Sequence, residues 1–389
     1  MRDVSVAVSP TADLSLAREV RALVGAIRWF VGAGTEEDLE KLVRGGLQWD
    51  ALLEQARREG VAGIVAQALE ALAGREDTVA NLDRWRAETR VVAASNMAAL
   101  SELAALQAAM REDRRQMIVL KGAALLDDVY RGCVALRPMG DIDLFLRPSD
   151  VPWIAGWLRH RGYQPVSPSS PFFSRGTVSF DLHTEIVGSE WVGRKARAFH
   201  FDPVALWREA VPKDPADATV LVLSAVHLRL QLVVHALKHS YSRLIWLVDL
   251  ALVLQDAPWP SLLEHARASG AVRPLAYAVA ALDWLLDGAD VSEAVRRQLP
   301  ALGPLERAFI RVVANRRGVE TPGELMVALS IPGAIAKATY LAELVIPRRH
   351  VLARHYPMTP PWLLYPRRVV RLASLGLQEV GKLLSRRER

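Results

Sequence analysis

Cysteine is almost absent from this chain of 389 residues, which contains only Cys133. A single thiol cannot close an intrachain disulfide, so nothing in the sequence indicates an oxidising compartment. The first 20 residues lack the apolar core of a signal peptide. The most apolar run, residues 244–255 (LIWLVDLALVLQ), is shorter than a membrane span and contains Asp249. These absences predict a soluble, cytoplasmic protein without a transmembrane segment.

Internal repeats and low-complexity segments are also absent, whereas hydrophobic residues make up 51% of the chain, enough for one large core or two to three smaller ones. Apolar residues recur at a spacing of three and four up to about residue 115, and again after a linker-like stretch at 212–219 (PKDPADAT), which predicts helices. Between them lie short strand-like runs and helical stretches near 123–131 and 150–161. We therefore predict an α+β fold, with an N-terminal helical region (1–115), a small mixed-sheet core (116–215) and a C-terminal helical region (216–389).

The net charge of +6 is concentrated at the C-terminal end of the chain. Residues 347–389 contain ten Arg or Lys and two Glu, so the rest of the chain has a net charge of −2. Residues 365–389 (YPRRVVRLASLGLQEVGKLLSRRER) have the pattern of a basic amphipathic helix. Two interpretations remain open: a solvated helix that packs through its Val and Leu face, or a surface that binds an anionic membrane, RNA or a phosphorylated substrate.

A short apolar run, residues 117–120 (MIVL), is followed by Lys121, Gly122 and a helical pattern. Such a junction of strand, glycine and helix directs unpaired backbone N–H groups at whatever lies in front of it, which is typical of a phosphate-binding turn. Lys121 adds a positive charge. The alternative is a plain tight turn, because the P-loop spacing is absent and the lysine precedes its glycine.

Two aspartates, Asp141 and Asp143, lie one residue apart in the strand-like run 141–146 (DIDLFL). Side chains alternate along a strand, so both carboxylates are predicted on one face, opposite Ile142 and Leu144. Neighbouring carboxylates repel unless a cation lies between them, and an oxygen-only pair suits Mg²⁺. Replacing either aspartate by asparagine is expected to abolish a metal-dependent reaction and, by relieving the repulsion, to leave the fold intact or more stable.

A third acid, Asp181, lies in another strand-like run, residues 177–187 (TVSFDLHTEIV), and shares its face with His183. Three acids on neighbouring strands can hold two metal ions about 3.5–4 Å apart, one activating a hydroxyl and one binding a triphosphate. The alternative is an acid exposed to water at a strand edge.

The order LKG, an arginine before DIDLF, and then FDLH resembles the polymerase-β-like nucleotidyltransferase superfamily. The chain is most similar there to the uncharacterised bacterial nucleotidyltransferases, over roughly residues 95–255. The resemblance implies that Gly122 leads a triphosphate-binding helix, that Asp141 and Asp143 bind both metal ions, and that Asp181 binds one of them and assists the nucleophile. Ala123 stands where the family usually has a small polar residue.

Further residues match the pattern of this group. Arg137 corresponds to its arginine, and two roles stay open for the guanidinium: contact with the triphosphate, or a carboxylate fork that holds the strand of Asp141 and Asp143. Lys238, Trp246 and Asp249 also match, and the resemblance implies that this segment closes the nucleotide pocket. Lys238 is expected at a phosphate and Trp246 against a base or a helix.

The sequence thus predicts a Mg²⁺-dependent nucleotidyltransferase that moves NMP from an NTP, expected to be ATP, to an acceptor hydroxyl by a two-metal mechanism. The acceptor stays open among small molecules, peptides, proteins and RNA, with the basic tail expected to help capture it. The alternative is a catalytically inactive nucleotide- or partner-binding module, against which the retention of three repelling carboxylates argues. The predicted catalytic and metal-binding residues are Asp141, Asp143 and Asp181, and the predicted nucleotide-binding residues are Lys121, Gly122, Arg137, Lys238 and Trp246.

Overall fold

A computed structural model describes residues 18–44, 46–72, 76–167, 170–187, 198–314, 322–356 and 358–384. The N-terminal part is helical, as its hydrophobic period predicts. A capping box between Thr35 and Asp38 starts the second helix, and Gly60, with φ +74°, ends the third. The helices are α1 (Arg18–Phe30), α2 (Glu36–Val43), α3 (Trp49–Glu59), α4 (Ala62–Ala71) and α5 (Glu76–Glu112).

The helix α5 is 37 residues long and leads from the helical region to the sheet. Its Leu82–Glu112 segment is long and apolar enough to cross a membrane by length and composition. One face of that segment is buried inside the protein through Trp85, Leu106 and Met110, and Asn96 is fully buried. Core helices meet the same criteria of length and composition, so the absence of a transmembrane segment stays a prediction.

Within the described residues, seven strands form one mixed sheet in the order β3-β4-β5-β2-β1-β7-β6. Two pairs, β1 with β7 and β2 with β5, are parallel, and the other neighbours are antiparallel. This sheet within a mainly helical chain confirms the α+β fold. The strands are β1 (Met117–Val119), β2 (Ile142–Phe145), β3 (Gln164–Pro165), β4 (Phe172–Arg175), β5 (Val178–His183), β6 (Val211–Asp214) and β7 (Asp217–Val222).

The register between β2 and β5 aligns their acidic residues. Asp143 lies opposite Asp181, while Ile142 lies opposite Phe180 and packs with it in the core on one side of the sheet. Because side chains alternate along both strands, the two carboxylates share the other side. The alternation of apolar and acidic residues thus sets which side of the sheet is available for chemistry.

Two local predictions are wrong. The helical stretch expected near 123–131 is the five-residue helix α6 (Lys121–Leu125), after which the chain turns through Arg131 and Gly132, both with positive φ. The stretch 212–219 is not a linker, because it lies in the β6–β7 hairpin and β7 pairs with the central strand β1. The sheet therefore continues past the predicted boundary at residue 215.

The remaining helices lie around the sheet and in the C-terminal part of the chain. Buried residues of α9, α10 and α12 pack with those of α1 and α4 in one hydrophobic cluster, so both helical regions share a core. The helices are α7 (Val151–His160), α8 (Pro203–Glu209), α9 (Ala225–Lys238), α10 (Leu244–Gln255), α11 (Trp259–Ser269), α12 (Val272–Leu286), α13 (Glu293–Arg296), α14 (Pro304–Ala314), α15 (Pro322–Ser330), α16 (Ala334–Val345), α17 (Arg349–His355) and α18 (Leu364–Leu384).

Candidate active site

Three side chains of β2 and β5, Asp143, Asp181 and His183, form a compact group that we call the acid–histidine triad. The Nε2 atom of His183 lies 2.8 Å from Oδ1 of Asp143 and 3.1 Å from Oδ2 of Asp181. One ligand atom from each residue lies within 4.8 Å of the other two. Carboxylates and imidazole are ligands of divalent metal ions, so this group has the donors for one.

His183 is the residue of this group to which the sequence assigned no role. The alternation in FDLH places it on the face of Asp181, and this was the available signal. Asp141, by contrast, immediately precedes β2 and is not one of the three residues whose ligand atoms converge.

Lys121 completes the surroundings of Asp143, whose side chain is 3% exposed. The Nζ atom of Lys121 lies 2.5 Å from Oδ1 of Asp143, so this carboxylate contacts two basic side chains. Lys121 has φ +48°, a left-handed conformation that residues other than glycine rarely adopt. Such backbone strain tends to occur at ligand-binding sites.

These contacts separate the pKa values of Asp141, Asp143 and His183. Burial raises the pKa of Asp143, but the hydrogen bonds and charges of His183 and Lys121 outweigh it and bring the pKa down to about 2. Burial and the charge of Asp143 raise the pKa of Asp141 to about 6. Burial lowers the pKa of His183, but hydrogen bonds to both aspartates outweigh it and raise the pKa to about 9. At neutral pH, His183 is therefore a cation that lies between Asp143 and Asp181.

A cleft of about 310 Å³ opens at this group. Its lining includes Lys121, Asp181, His183, His235 and Lys238. The volume lies at the lower end of the range for small-molecule sites. Both lysines that were predicted to bind phosphate thus line the same cleft as Asp181 and His183 of the acid–histidine triad, an arrangement suited to an anionic ligand.

Gly122 is buried, and its surroundings give it a packing role. A Cβ atom at this position would approach Nη1 of Arg137 to 2.5 Å and Cγ of Met139 to 2.8 Å. The absent side chain therefore makes room for the segment that precedes β2. Phosphate binding by Gly122 stays a prediction.

Arg137 is 6% exposed and forms a fork with Asp249 of α10. Its Nε and Nη2 atoms donate to the Asp249 carboxylate at 2.9 and 2.8 Å, and the hydroxyl of Tyr130 donates to the same carboxylate at 2.7 Å. The fork thus joins the segment before β2 to α10, and not to Asp141 or Asp143. Contact of Arg137 with a nucleotide stays a prediction.

Trp246 lies in an aromatic cluster beside the cleft. Its ring centroid is 5.4 Å from that of His235 and 5.1 Å from that of His239, so it packs against α9. His235 in turn lines the cleft. Of the two roles expected for Trp246, packing against a helix is present, and contact with a base stays a prediction.

The site lies within a segment that matches a known protein family. A family model described as uncharacterised nucleotidyltransferase matches residues 45–287, a segment that contains the whole sheet, the acid–histidine triad and Lys238. No curated protein and no solved structure gives a significant match. The matched segment is more than half of the chain, which confirms the predicted resemblance. The chain therefore belongs to the uncharacterised nucleotidyltransferase family, and its activity class is nucleotidyl transfer.

Proposed function

We propose that this protein transfers NMP from a Mg²⁺-bound NTP, preferentially ATP, to an acceptor hydroxyl by in-line attack on the α-phosphorus. The observation that carries the proposal is the pairing of Asp143 with Asp181 beside a cleft that two lysines also line. Carboxylates that converge on one point favour a cation between them, a place that His183 takes in the metal-free protein, and a cleft with lysines favours a polyanion.

In this proposal, Asp141, Asp143 and Asp181 hold the metal ions. When bound, Mg²⁺ neutralises charge on the phosphates and lowers the pKa of the attacking hydroxyl. Asp181, whose side chain is 24% exposed, is more accessible than Asp143 and accepts the proton of the acceptor. Lys121 and Lys238 bind phosphate oxygens, and Lys121 leaves Asp143 to do so.

The basic C-terminal region fits an anionic acceptor, although its arginines are not equivalent. Arg367 and Arg371 are exposed, whereas Arg368 is 6% exposed and donates to the backbone oxygen of Leu344 at 2.9 Å. Arg367 and Arg371 therefore contribute to acceptor capture in this proposal, and Arg368 to packing. The basic residues after 374 lie outside the described side chains.

Nucleotidyl transfer is tested by incubating the purified protein with Mg²⁺, cell extract and each α-labelled NTP in turn. We expect label from ATP in one macromolecule or small molecule, with release of pyrophosphate. The Asp181→Asn variant is the control and should transfer no label. Tight binding of NTP by the wild type without label transfer from any NTP would instead indicate a nucleotide-binding module.

Mg²⁺ affinity is expected to rise with pH between 7 and about 9. His183 is protonated below its pKa of about 9 in the metal-free protein, and metal binding between the carboxylates requires loss of that proton. The affinity should therefore increase by up to about tenfold per pH unit in this window. Isothermal titration calorimetry in buffers of different ionisation enthalpy measures the released proton.

The matched control for this pH dependence is His183→Gln, which keeps a polar side chain and cannot carry the proton. Its Mg²⁺ affinity should be nearly constant from pH 7 to 9. If Mg²⁺ affinity rises equally steeply with pH in the wild type and in His183→Gln, another group is the one that titrates.

A further inference from the structure

A second group of metal-ligand side chains lies outside the cleft, where three helices meet. Glu209 is the last residue of α8, His227 lies in the first turn of α9, and His265 lies within α11. One ligand atom from each lies within 4.8 Å of the other two. The proposed transfer reaction uses none of them, and they are not among the residues that line the cleft.

The distances within this group suit ligands of one ion. Nδ1 of His227 lies 3.5 Å from Oε2 of Glu209. That separation is longer than an ordinary N–H···O hydrogen bond. It is close to the roughly 3.3 Å that separates two ligand atoms on a tetrahedral ion with bonds of about 2.0–2.1 Å. The rings of His227 and His265 meet edge to face, with centroids 5.5 Å apart, so both imidazoles are within reach of one position.

The hydrogen bonds of His265 leave one ring nitrogen for a metal. Its Nδ1 atom lies 2.9 Å from the backbone oxygen of Ser261. A carbonyl oxygen only accepts, so Nδ1 carries a hydrogen and Nε2 is the ring nitrogen that can bind a metal. Metal-bound histidines usually donate their other N–H in this way, which orients the ring.

His227 is 8% exposed, and its Nδ1 atom has a competing partner. Ser224 Oγ lies 3.0 Å from Nδ1, a hydrogen bond that must give way when Nδ1 binds the ion.

We propose that Glu209, His227 and His265 bind one divalent ion of the zinc class. Two imidazoles and one carboxylate match the preferences of Zn²⁺, whereas Mg²⁺ prefers oxygen ligands alone. Three protein ligands leave a fourth position for water. The group is partly exposed at Glu209 and His265, which gives the ion a path of entry.

The ion connects the sheet to the helices that form the cleft. Glu209 is followed, after Ala210, by the edge strand β6, so the site joins the sheet edge to α9 and α11. The other end of α9 carries His235 and Lys238, which line the cleft. A metal ion at the start of α9 therefore stabilises the position of the helix that supplies these two residues.

The test uses the untagged, metal-free full chain and Co²⁺ as a spectroscopic probe. The acid–histidine triad also has metal-ligating groups, so Co²⁺ is titrated into an Asp143→Asn/His183→Gln variant as well as the wild type. We expect that variant to retain one equivalent of Co²⁺ with the visible absorption of a four-coordinate ion, displaced by Zn²⁺. Adding Glu209→Gln or His265→Gln should weaken the affinity by about 100-fold or more. Glu264→Gln, at the exposed neighbour on α11, should leave it unchanged.

A second readout is thermal stability in the same background. Zn²⁺ should raise the midpoint of unfolding with Glu209 and His265 intact, and this shift should be lost in either substituted variant. His227 is left intact because a substitution at this buried position would also disturb the fold. The proposal is wrong if the background variant binds no Co²⁺. It is also wrong if folded Glu209→Gln and His265→Gln proteins bind Co²⁺ as tightly as the background variant.

Discussion

Replacement of Asp143 by asparagine is expected to abolish nucleotidyl transfer, with kcat/KM reduced by roughly 10³-fold or more. The amide keeps the shape of the side chain but offers no negative charge to the metal ion. It also no longer opposes the charges of Lys121 and His183, which both contact this carboxylate. Initial rates with saturating Mg²⁺ and labelled NTP measure the loss.

The stability of the metal-free protein should separate Asp143 from Asp141. The sequence alone predicts that either asparagine relieves repulsion and leaves the fold intact or more stable. The structure changes this expectation for Asp143, because its removal leaves two cations close together without their shared partner. We expect Asp143→Asn to lower the free energy of unfolding by about 1–3 kcal/mol at pH 7.

Asp141→Asn should change the free energy of unfolding in the opposite direction. Burial and the charge of Asp143 raise the pKa of Asp141 to about 6, so its ionised form is unfavourable in the folded protein. This penalty to the stability of the folded protein is absent at pH values below the ordinary aspartate pKa near 4. It is complete above about pH 6. Asp141→Asn should therefore raise the free energy of unfolding above pH 6, by up to about 1–2 kcal/mol. Urea unfolding at pH 5 and pH 8 measures it.

The two aspartate variants serve as controls for each other, because each removes one carboxylate and the two positions are only two residues apart. Both should lose transfer activity while their stabilities change in opposite directions. A change of stability in the same direction, or wild-type turnover in Asp143→Asn, would contradict the assigned charges of the site.

The position of each acidic residue opposite the core residues of its strand was predictable, because the signal for it is local. Asp141 and Asp143 interrupt an apolar run at a spacing of two, and Asp181 does the same in a second run. Alternation alone places each acid opposite core residues. The sequence does not contain the register between the strands, however. Only the pairing of Asp143 with Asp181 brings His183 within hydrogen-bonding distance of Asp143.

Features that depend on distant contacts were not predictable. The helical pattern near 123–131 is interrupted because the chain turns and brings Tyr130 to Asp249, which lies 119 residues further along the chain. The guanidinium of Arg137 was expected at a phosphate or at the strand of the aspartates, and its fork reaches the same distant carboxylate. The group of Glu209, His227 and His265 likewise comes from three separate helices with no common motif.

Loss of the buried ion pair between Arg137 and Asp249 should have the largest effect on stability. The two residues are 6% and 1% exposed, and the Tyr130 hydroxyl also donates to Asp249. Asp249→Asn leaves a buried guanidinium without a counter-charge, because arginine does not lose its proton in proteins. We expect the free energy of unfolding to fall by about 3–5 kcal/mol, measured by urea unfolding at pH 7.

The exposed pair of Arg86 and Glu70 provides a matched control, since both side chains are about half exposed. Arg86→Met should change the free energy of unfolding by no more than about 0.5 kcal/mol. The double variant Arg137→Met/Asp249→Leu removes both buried charges together. It should recover most of the stability lost in Asp249→Asn, because apolar pairs of similar size can replace buried ion pairs.

The same double variant decides between the two roles of Arg137. If Arg137 acts only through its fork with Asp249, the folded double variant should bind NTP with wild-type affinity, since the fork holds the chain before β2 and touches no phosphate. If Arg137 binds the triphosphate, the double variant should be stable and yet bind NTP roughly tenfold or more weakly, the loss of one charge-assisted contact. The buried geometry favours the first result, because Arg137 must give up its three hydrogen bonds to Asp249 before it can reach a ligand.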